Sequence, residues 1–196
     1  MVSAEAAAAS SGFSTTENGL SDGGCAAMTV IFARGTTETG NVGTLAGPPF
    51  FNALEAKVGA GNVAVQGVDY PADIPGFLAG GDAGGSMKMA SLVAQAMSQC
   101  PSSKIVMAGY SQGGQLVHNA AKMMSAAQTK AVSSVVIFGD PDNGKAVGNV
   151  PAAKTKVICL TGDNICQGGD LILTPHLTYS TNAGEAAAFV ASAAGM

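Results

Sequence analysis

Tryptophan is absent from the sequence, arginine occurs once, at Arg34, and histidine only twice, at His118 and His176. Charged residues make up 11% of the chain. With 9 Lys and Arg against 13 Asp and Glu, the formal net charge is −4. No basic cluster exists to neutralise a phosphate backbone, which argues against a nucleic-acid partner. Two histidines and the lack of any Cys-x-x-Cys argue against a zinc site, and no metal is expected. Apolar runs such as Val135-Val136-Ile137-Phe138 stay far below the roughly 20 residues a membrane-spanning helix needs. Met1 to Ser10 carries neither a charged n-region nor a long apolar h-region. It reads as an artificial start or the remnant of a processed precursor rather than an intact signal peptide.

What is present points to one folded domain. Apolar residues are 47% of 196 residues, too many for a disordered chain and enough for a real core. The 27 glycines imply tight turns and close backbone approaches. Four cysteines, Cys25, Cys100, Cys159 and Cys166, are compatible with two disulfides in any of three pairings. Disulfides imply an oxidising compartment, so the protein is expected to be secreted.

Residues 1–24 are rich in Ala, Ser, Thr and Gly and read as a tail or short arm ahead of a domain spanning 25–196. Within the domain, short apolar runs have the two-sided hydrophobicity of buried parallel strands: 28–32, 63–65, 105–107, 135–138 and 157–158. Between them, 49–58, 86–99, 112–127 and 185–193 carry apolar residues at helical spacing. This alternation predicts an α/β fold, a three-layer α/β/α sandwich around a mainly parallel five-stranded sheet. Residues 69–85 hold two prolines and five glycines and are expected to form neither helix nor strand. Phe77 and Leu78 within that segment either tuck into the core or rim a cleft.

The most informative stretch is Gly109-Tyr110-Ser111-Gln112-Gly113, preceded by an apolar strand and followed by an amphipathic helix. This is the context of a nucleophile elbow, in which a strained turn lifts a serine above the sheet edge. Side chains at the two flanking glycines would collide with their neighbours. The helix start beside Ser111 offers unpaired N–H groups, among them that of Gln112, to an oxyanion. A serine nucleophile needs a base, and the base an orienter. His118 follows Ser111 by about two helical turns, roughly 10 Å along the axis, and is expected to be a packed or surface residue. His176, in an irregular segment beyond the last strand, is the candidate base. Asp140 and Asp142 lie in a turn-rich Gly-Asp-Pro-Asp-Asn-Gly and read as turn formers. Asp163 sits between Cys159 and Cys166, where a paired loop would hold a carboxylate rigidly, and is favoured as the acid. Asp170 is the alternative.

These residues resemble the fungal cutinase family of α/β hydrolases. The resemblance rests on Phe32-Ala33-Arg34-Gly35-Thr36-Thr37-Glu38-Thr39-Gly40-Asn41, on Gly109-Tyr110-Ser111-Gln112-Gly113, on the Cys159 to Cys166 segment and on Pro175-His176-Leu177-Thr178-Tyr179, and covers residues 25–195. It implies a Ser111–His176–Asp163 triad and an oxyanion hole from the N–H groups of Thr36 and Gln112. Many cutinases carry serine at position 36, and threonine keeps the hydroxyl. The resemblance also implies disulfides Cys25–Cys100 and Cys159–Cys166, contributing about 4–5 and about 2–3 kcal/mol in the chain-entropy picture. Cleft walls are implied from residues 73–85, including Phe77 and Leu78, and from Leu171, Ile172, Leu173 and Leu177. Asp170 departs from the small or apolar wall residue expected there. Residues 1–24 match no core motif of the family, and a lid formed by them is the alternative to a tail.

The expected function is a secreted, monomeric serine esterase that needs no cofactor. It would cleave cutin, an insoluble plant polyester, and small esters through an acyl-enzyme. An acetylxylan esterase of the same fold is the nearest rival, and an idle surface-binding protein is the rival of another class.

Overall fold

The structure, a computed structural model, describes residues 12–196. Five parallel strands form one sheet: β1 Met28–Ala33, β2 Val63–Gly67, β3 Lys104–Tyr110, β4 Val132–Phe138 and β5 Thr155–Ile158. Their spatial order is β2-β1-β3-β4-β5, so β3 is the central strand. Successive strand residues face opposite layers, and both layers are apolar. Ile31, Met107, Val135 and Ile137 pack with Met89, Leu92, Val93, Leu116 and Val117 of α3 (Ala83–Gln99) and α4 (Gln112–Met123). Their neighbours Val30, Phe32, Val106, Val136 and Phe138 pack with Phe50, Phe51, Leu54 and Val190. Those last four residues belong to α1 (Gly47–Val58) and α6 (Ala183–Ala194). The two-sided apolarity of the strands therefore comes from two separate cores, one on each face.

Three regions depart from the sequence reading. First, residues 74–78 are helical, forming α2 (Ile74–Leu78), and α3 already begins at Ala83. Aspartates outweigh the prolines and glycines here. Asp73 caps α2 by accepting from the Gly76 N–H at 2.8 Å, and Asp82 caps α3 by accepting from the Gly85 N–H at 2.7 Å. Pro75 lies in the first turn of α2, where its missing N–H costs nothing. Second, the helix expected over 112–127 breaks after Met123, and α5 (Ala126–Ala131) starts afresh behind a reciprocal Ser125–Gln128 capping box.

Third, residues 12–24 are not a free tail. Asn18 bridges Gln66 in antiparallel fashion, the Gly19 N–H donates to Val65 O at 2.8 Å, and Leu20 is fully buried. Phe13 meets Phe51 edge to face at 5.5 Å. This arm covers the outer edge of β2, which would otherwise leave its ladder groups unpaired. None of its residues lines the cleft described below. The remainder of the segment read as tail or lid, residues 1–11, lies outside the described residues. The arm is fastened by Cys25–Cys100, which joins it to the end of α3 across 75 residues, and Cys159–Cys166 closes the loop after β5.

His118 is packed rather than surface-facing. It is 1% exposed on α4, and its Nε2 lies 2.8 Å from Oδ2 of Asp140, which is fully buried after β4. Asp140 Oδ1 also accepts from the Asp142 N–H at 2.9 Å, the turn bond expected of it. This pair ties the helix behind Ser111 to the turn beyond β4. Removing one partner of a buried pair leaves the other desolvated and uncompensated. His118→Leu is expected to lower the unfolding free energy by about 3–5 kcal/mol, read from urea midpoints at unchanged slope.

Candidate active site

The site lies at the carboxyl edge of the sheet, where β3 ends. Ser111 sits between β3 and α4 with φ 56° and ψ −121°, a conformation that L-residues rarely adopt. The flanking glycines are required by contact. A Cβ at Gly113 would run into the Ala33 carbonyl, and one at Gly109 into the Gly113 backbone. The helix must start against β1 and β3 at backbone distance, and only glycine permits it.

His176 is carried by a short 3₁₀ turn, Thr174–Leu177, and Asp163 by the disulfide-closed loop after β5. His176 Nε2 lies 2.9 Å from Ser111 Oγ, and Nδ1 lies 2.8 Å from Asp163 Oδ2. All three residues are at most 5% exposed. Asp163 has no lysine or arginine among its partners in the described residues. Its Oδ2 also accepts from the Tyr179 hydroxyl at 2.6 Å, and its Oδ1 from the Ile165 N–H at 3.0 Å. Tyr110 stacks on the imidazole at 5.1 Å between centroids and donates its hydroxyl to His176 O at 2.7 Å. Tyr179 meets the same imidazole edge-on. The ring is thus held by two aromatic neighbours that also touch each other, their centroids 6.0 Å apart. Of the other acids considered from sequence, Asp140 pairs with His118, Asp142 pairs with Lys145 at 2.6 Å, and Asp170 stands exposed at the cleft edge.

Thr36 follows β1 and faces the same cleft. The Gln112 side-chain amide donates to Thr36 Oγ1 and to Asp73 O, both at 2.9 Å. Since Thr36 Oγ1 accepts there, its own proton is free to point into the cleft. Neither the Thr36 nor the Gln112 backbone N–H donates to an acceptor among the described residues. The arrangement can therefore present two N–H groups and a hydroxyl to an anion formed beside Ser111.

The cleft has a volume of about 680 Å³. Phe77 and Leu78 of α2 line one side, and Ile172 and Leu177 the other. Leu171 and Leu173 are exposed but do not line it. Ile74 lines the cleft at 59% exposure and belongs to the helix the sequence reading did not anticipate. The roles of Tyr110 and Tyr179 were also missed. Both lie inside the motifs read for other residues, and nothing in the pattern says where their hydroxyls point.

Three comparisons bear on the chain. The cutinase family profile matches residues 24–194. A cutinase of Botryotinia fuckeliana is 60% identical over 172 residues, covering 88% of this chain and 85% of that protein. The solved structure of a Trichoderma reesei cutinase in complex with a phosphonate inhibitor superimposes with a TM-score of 0.88 at 49% identity, covering 93% of this chain and 81% of that one. An acetylxylan esterase structure is more distant, at TM-score 0.71 and 26% identity over 87% of this chain and 99% of that one.

Burial pushes the Tyr70, Tyr110 and Tyr179 hydroxyls well above the usual tyrosine range. The charges of Glu38 and Asp163 add to this at Tyr110, and the hydrogen bond to Asp163 adds to it at Tyr179. Below about pH 10 both folded and unfolded chains keep these protons, and the hydroxyl bonds are intact. Above it the unfolded chain releases them first, so stability is lost as pH rises. Melting temperature is expected to fall progressively as pH rises above about 10, with a shallower fall in Tyr179→Phe.

Proposed function

The chain belongs to the cutinase family and is a carboxylic ester hydrolase, and from that premise we propose that Ser111, His176 and Asp163 carry out its acyl transfer with Thr36 and Gln112 as oxyanion hole. The observation that carries this reading is the continuous line from Ser111 Oγ through His176 to Asp163, with both links under 3 Å. Ser111 Oγ attacks the ester carbonyl while its proton passes to His176 Nε2. Asp163 accepts from Nδ1, which fixes the tautomer and stabilises the imidazolium that forms. The carbonyl electron pair moves to oxygen, where the two N–H groups and the Thr36 hydroxyl receive it. Collapse of the tetrahedral species expels the alcohol, which takes the proton from His176. Water, deprotonated by the same imidazole, then attacks the acyl-enzyme, and collapse returns Ser111 and free acid.

The substrate is cutin and other polyesters or esters of butyryl length and longer. Exposed Leu78, Ile172 and Leu177 beside Ser111 support this, since an apolar rim open to solvent suits an insoluble aliphatic chain. The enzyme acts as a monomer outside the cell. Two disulfides support secretion, and a rim reserved for substrate supports a monomer.

Initial rates on p-nitrophenyl esters from acetate to palmitate test both parts. A maximum at butyrate or longer is expected, with a loss of about 10⁶-fold in Ser111→Ala. Activity confined to acetate would instead indicate a carbohydrate acetyl esterase. Residual turnover in the serine variant would refute the nucleophile.

A further inference from the structure

Glu38 lines the cleft, yet the acyl-transfer steps make no use of its carboxylate. That carboxylate accepts three backbone N–H groups. Oε2 accepts from Gly35 at 2.9 Å, and Oε1 accepts from Thr44 and Leu45, each at 3.0 Å. The loop wraps around it so closely that a side chain at Gly43 would collide with it. The backbone of Glu38 is engaged as well. Its N–H donates to Gly35 O at 3.2 Å, and its carbonyl accepts from Arg34 Nε at 2.7 Å.

Both polar groups of Gly35 are therefore held by one residue, the N–H by the side chain of Glu38 and the carbonyl by its backbone. The Gly35 carbonyl and the Thr36 N–H belong to the same trans peptide, so they point in opposite directions across one rigid plane. Fixing the carbonyl fixes the direction of the Thr36 N–H. The Thr37 N–H is held in turn by Ala72 O at 2.7 Å.

We propose that Glu38 is the positioning residue of the oxyanion hole: its carboxylate pins Gly35 to the opposite limb of the loop at Thr44 and Leu45, which keeps its own backbone N–H on the Gly35 carbonyl and so aims the Thr36 N–H. A carboxylate is required because acceptors are needed on both sides. Glutamine supplies one carbonyl oxygen and turns an NH₂ toward the remaining donors. Aspartate keeps the charge but is one methylene too short to span both limbs. The effect falls on the transition state, because only then does the substrate oxygen carry the charge that the hole receives. This inference rests on the acyl-transfer reading above.

The test compares an ester with its thionoester, identical but for sulfur in place of the carbonyl oxygen. Sulfur is a weak hydrogen-bond acceptor and gains little from a well-aimed hole. In Glu38→Gln, kcat on the oxygen ester is expected to fall about 10–100-fold with KM changed less than about twofold, while the thionoester rate changes little. The oxygen-to-sulfur rate ratio then drops at least about 10-fold. Rates are normalised to active sites titrated with a phosphonate, so partial unfolding does not alter the ratio. Should the Gln variant fail to fold, Glu38→Asp is measured in the same way with the same expectation. Equal losses on both esters, or an unchanged ratio, overturn the proposal. Ser111→Ala in the same assay separates the two readings. Turnover there refutes the nucleophile, whereas an unchanged ratio beside an inactive serine variant refutes only the role of Glu38.

Discussion

A turn sharp enough to fold a helix back against the strand before it through a single residue asks that residue to take a backbone conformation disfavoured for L-amino acids. Ser111 does so at φ 56°. Such a residue costs of order 1–3 kcal/mol and persists only where its surroundings leave no alternative. Those surroundings are the most constrained part of the fold. β3 is central, paired on both sides, and α4 starts at backbone contact with the end of β1. The Ser111 N–H is itself held by Phe138 O at 3.0 Å, at the end of β4. The serine hydroxyl is held at the floor of the cleft because the sheet cannot relax around it. The same turn leaves the first helical N–H groups unpaired beside that hydroxyl, so strain and anion recognition share one cause.

The second constraint is a buried carboxylate with no lysine or arginine beside it among the described residues. Asp163 is 1% exposed, and a lone ionised carboxylate in such a place is costly unless its oxygens are saturated. Here Tyr179, the Ile165 N–H and His176 saturate them. This explains why a tyrosine three residues past the histidine is buried. Its hydroxyl bridges the acid loop and its ring walls the imidazole, so one side chain fixes the distance between the two loops. Tyr110 adds a second hold, stacking on the ring and donating its hydroxyl to the His176 backbone carbonyl. The imidazole reaches Ser111 from a short 3₁₀ turn, and the two tyrosines supply the rigidity that the turn lacks.

This division accounts for what could be read from the sequence. Where a feature depends on backbone sterics within a few residues, it was legible. The Gly-x-Ser-x-Gly elbow, the apolar strands and the Asp163 loop between two cysteines all announced themselves. Where it depends on long-range contacts, it was not. Nothing near Leu20 or Phe13 signals that the arm lies along β2, because the partners Val65 and Phe51 are more than thirty residues away. The helix over 74–78 was obscured by weighing Pro75 and Gly76 as breakers. Asp73 two residues earlier, with a proline in the first turn, is a start signal of the opposite meaning. Direction of side chains was likewise hidden: Gln112 was read for its backbone, while its amide turned out to join Thr36 to the start of α2.

The scarcity of arginine takes on meaning at this point. The only guanidinium in the chain forms no ion pair among the described residues. Arg34 is 8% exposed, lies 5.0 Å over the Tyr70 ring, and donates to the carbonyls of Glu38 and Tyr70. Tyr70 returns its own hydroxyl to Arg34 O. A planar group with several fixed donors can hold two strands of loop at a set separation, which a lysine cannot do. Arg34 therefore fixes the Thr36 loop to the segment entering α2, Glu38 closes the same loop on itself, and Gln112 ties both to α4. The loop that would carry the oxyanion hole is polar and fully cross-braced on its inner side, while its outer neighbours, Ile74, Leu78 and Ile172, are apolar and open to solvent. Rim and donors are nonetheless coupled at one point, since the Gln112 amide that reaches Thr36 also holds Asp73 O at the start of the helix carrying Ile74 and Leu78.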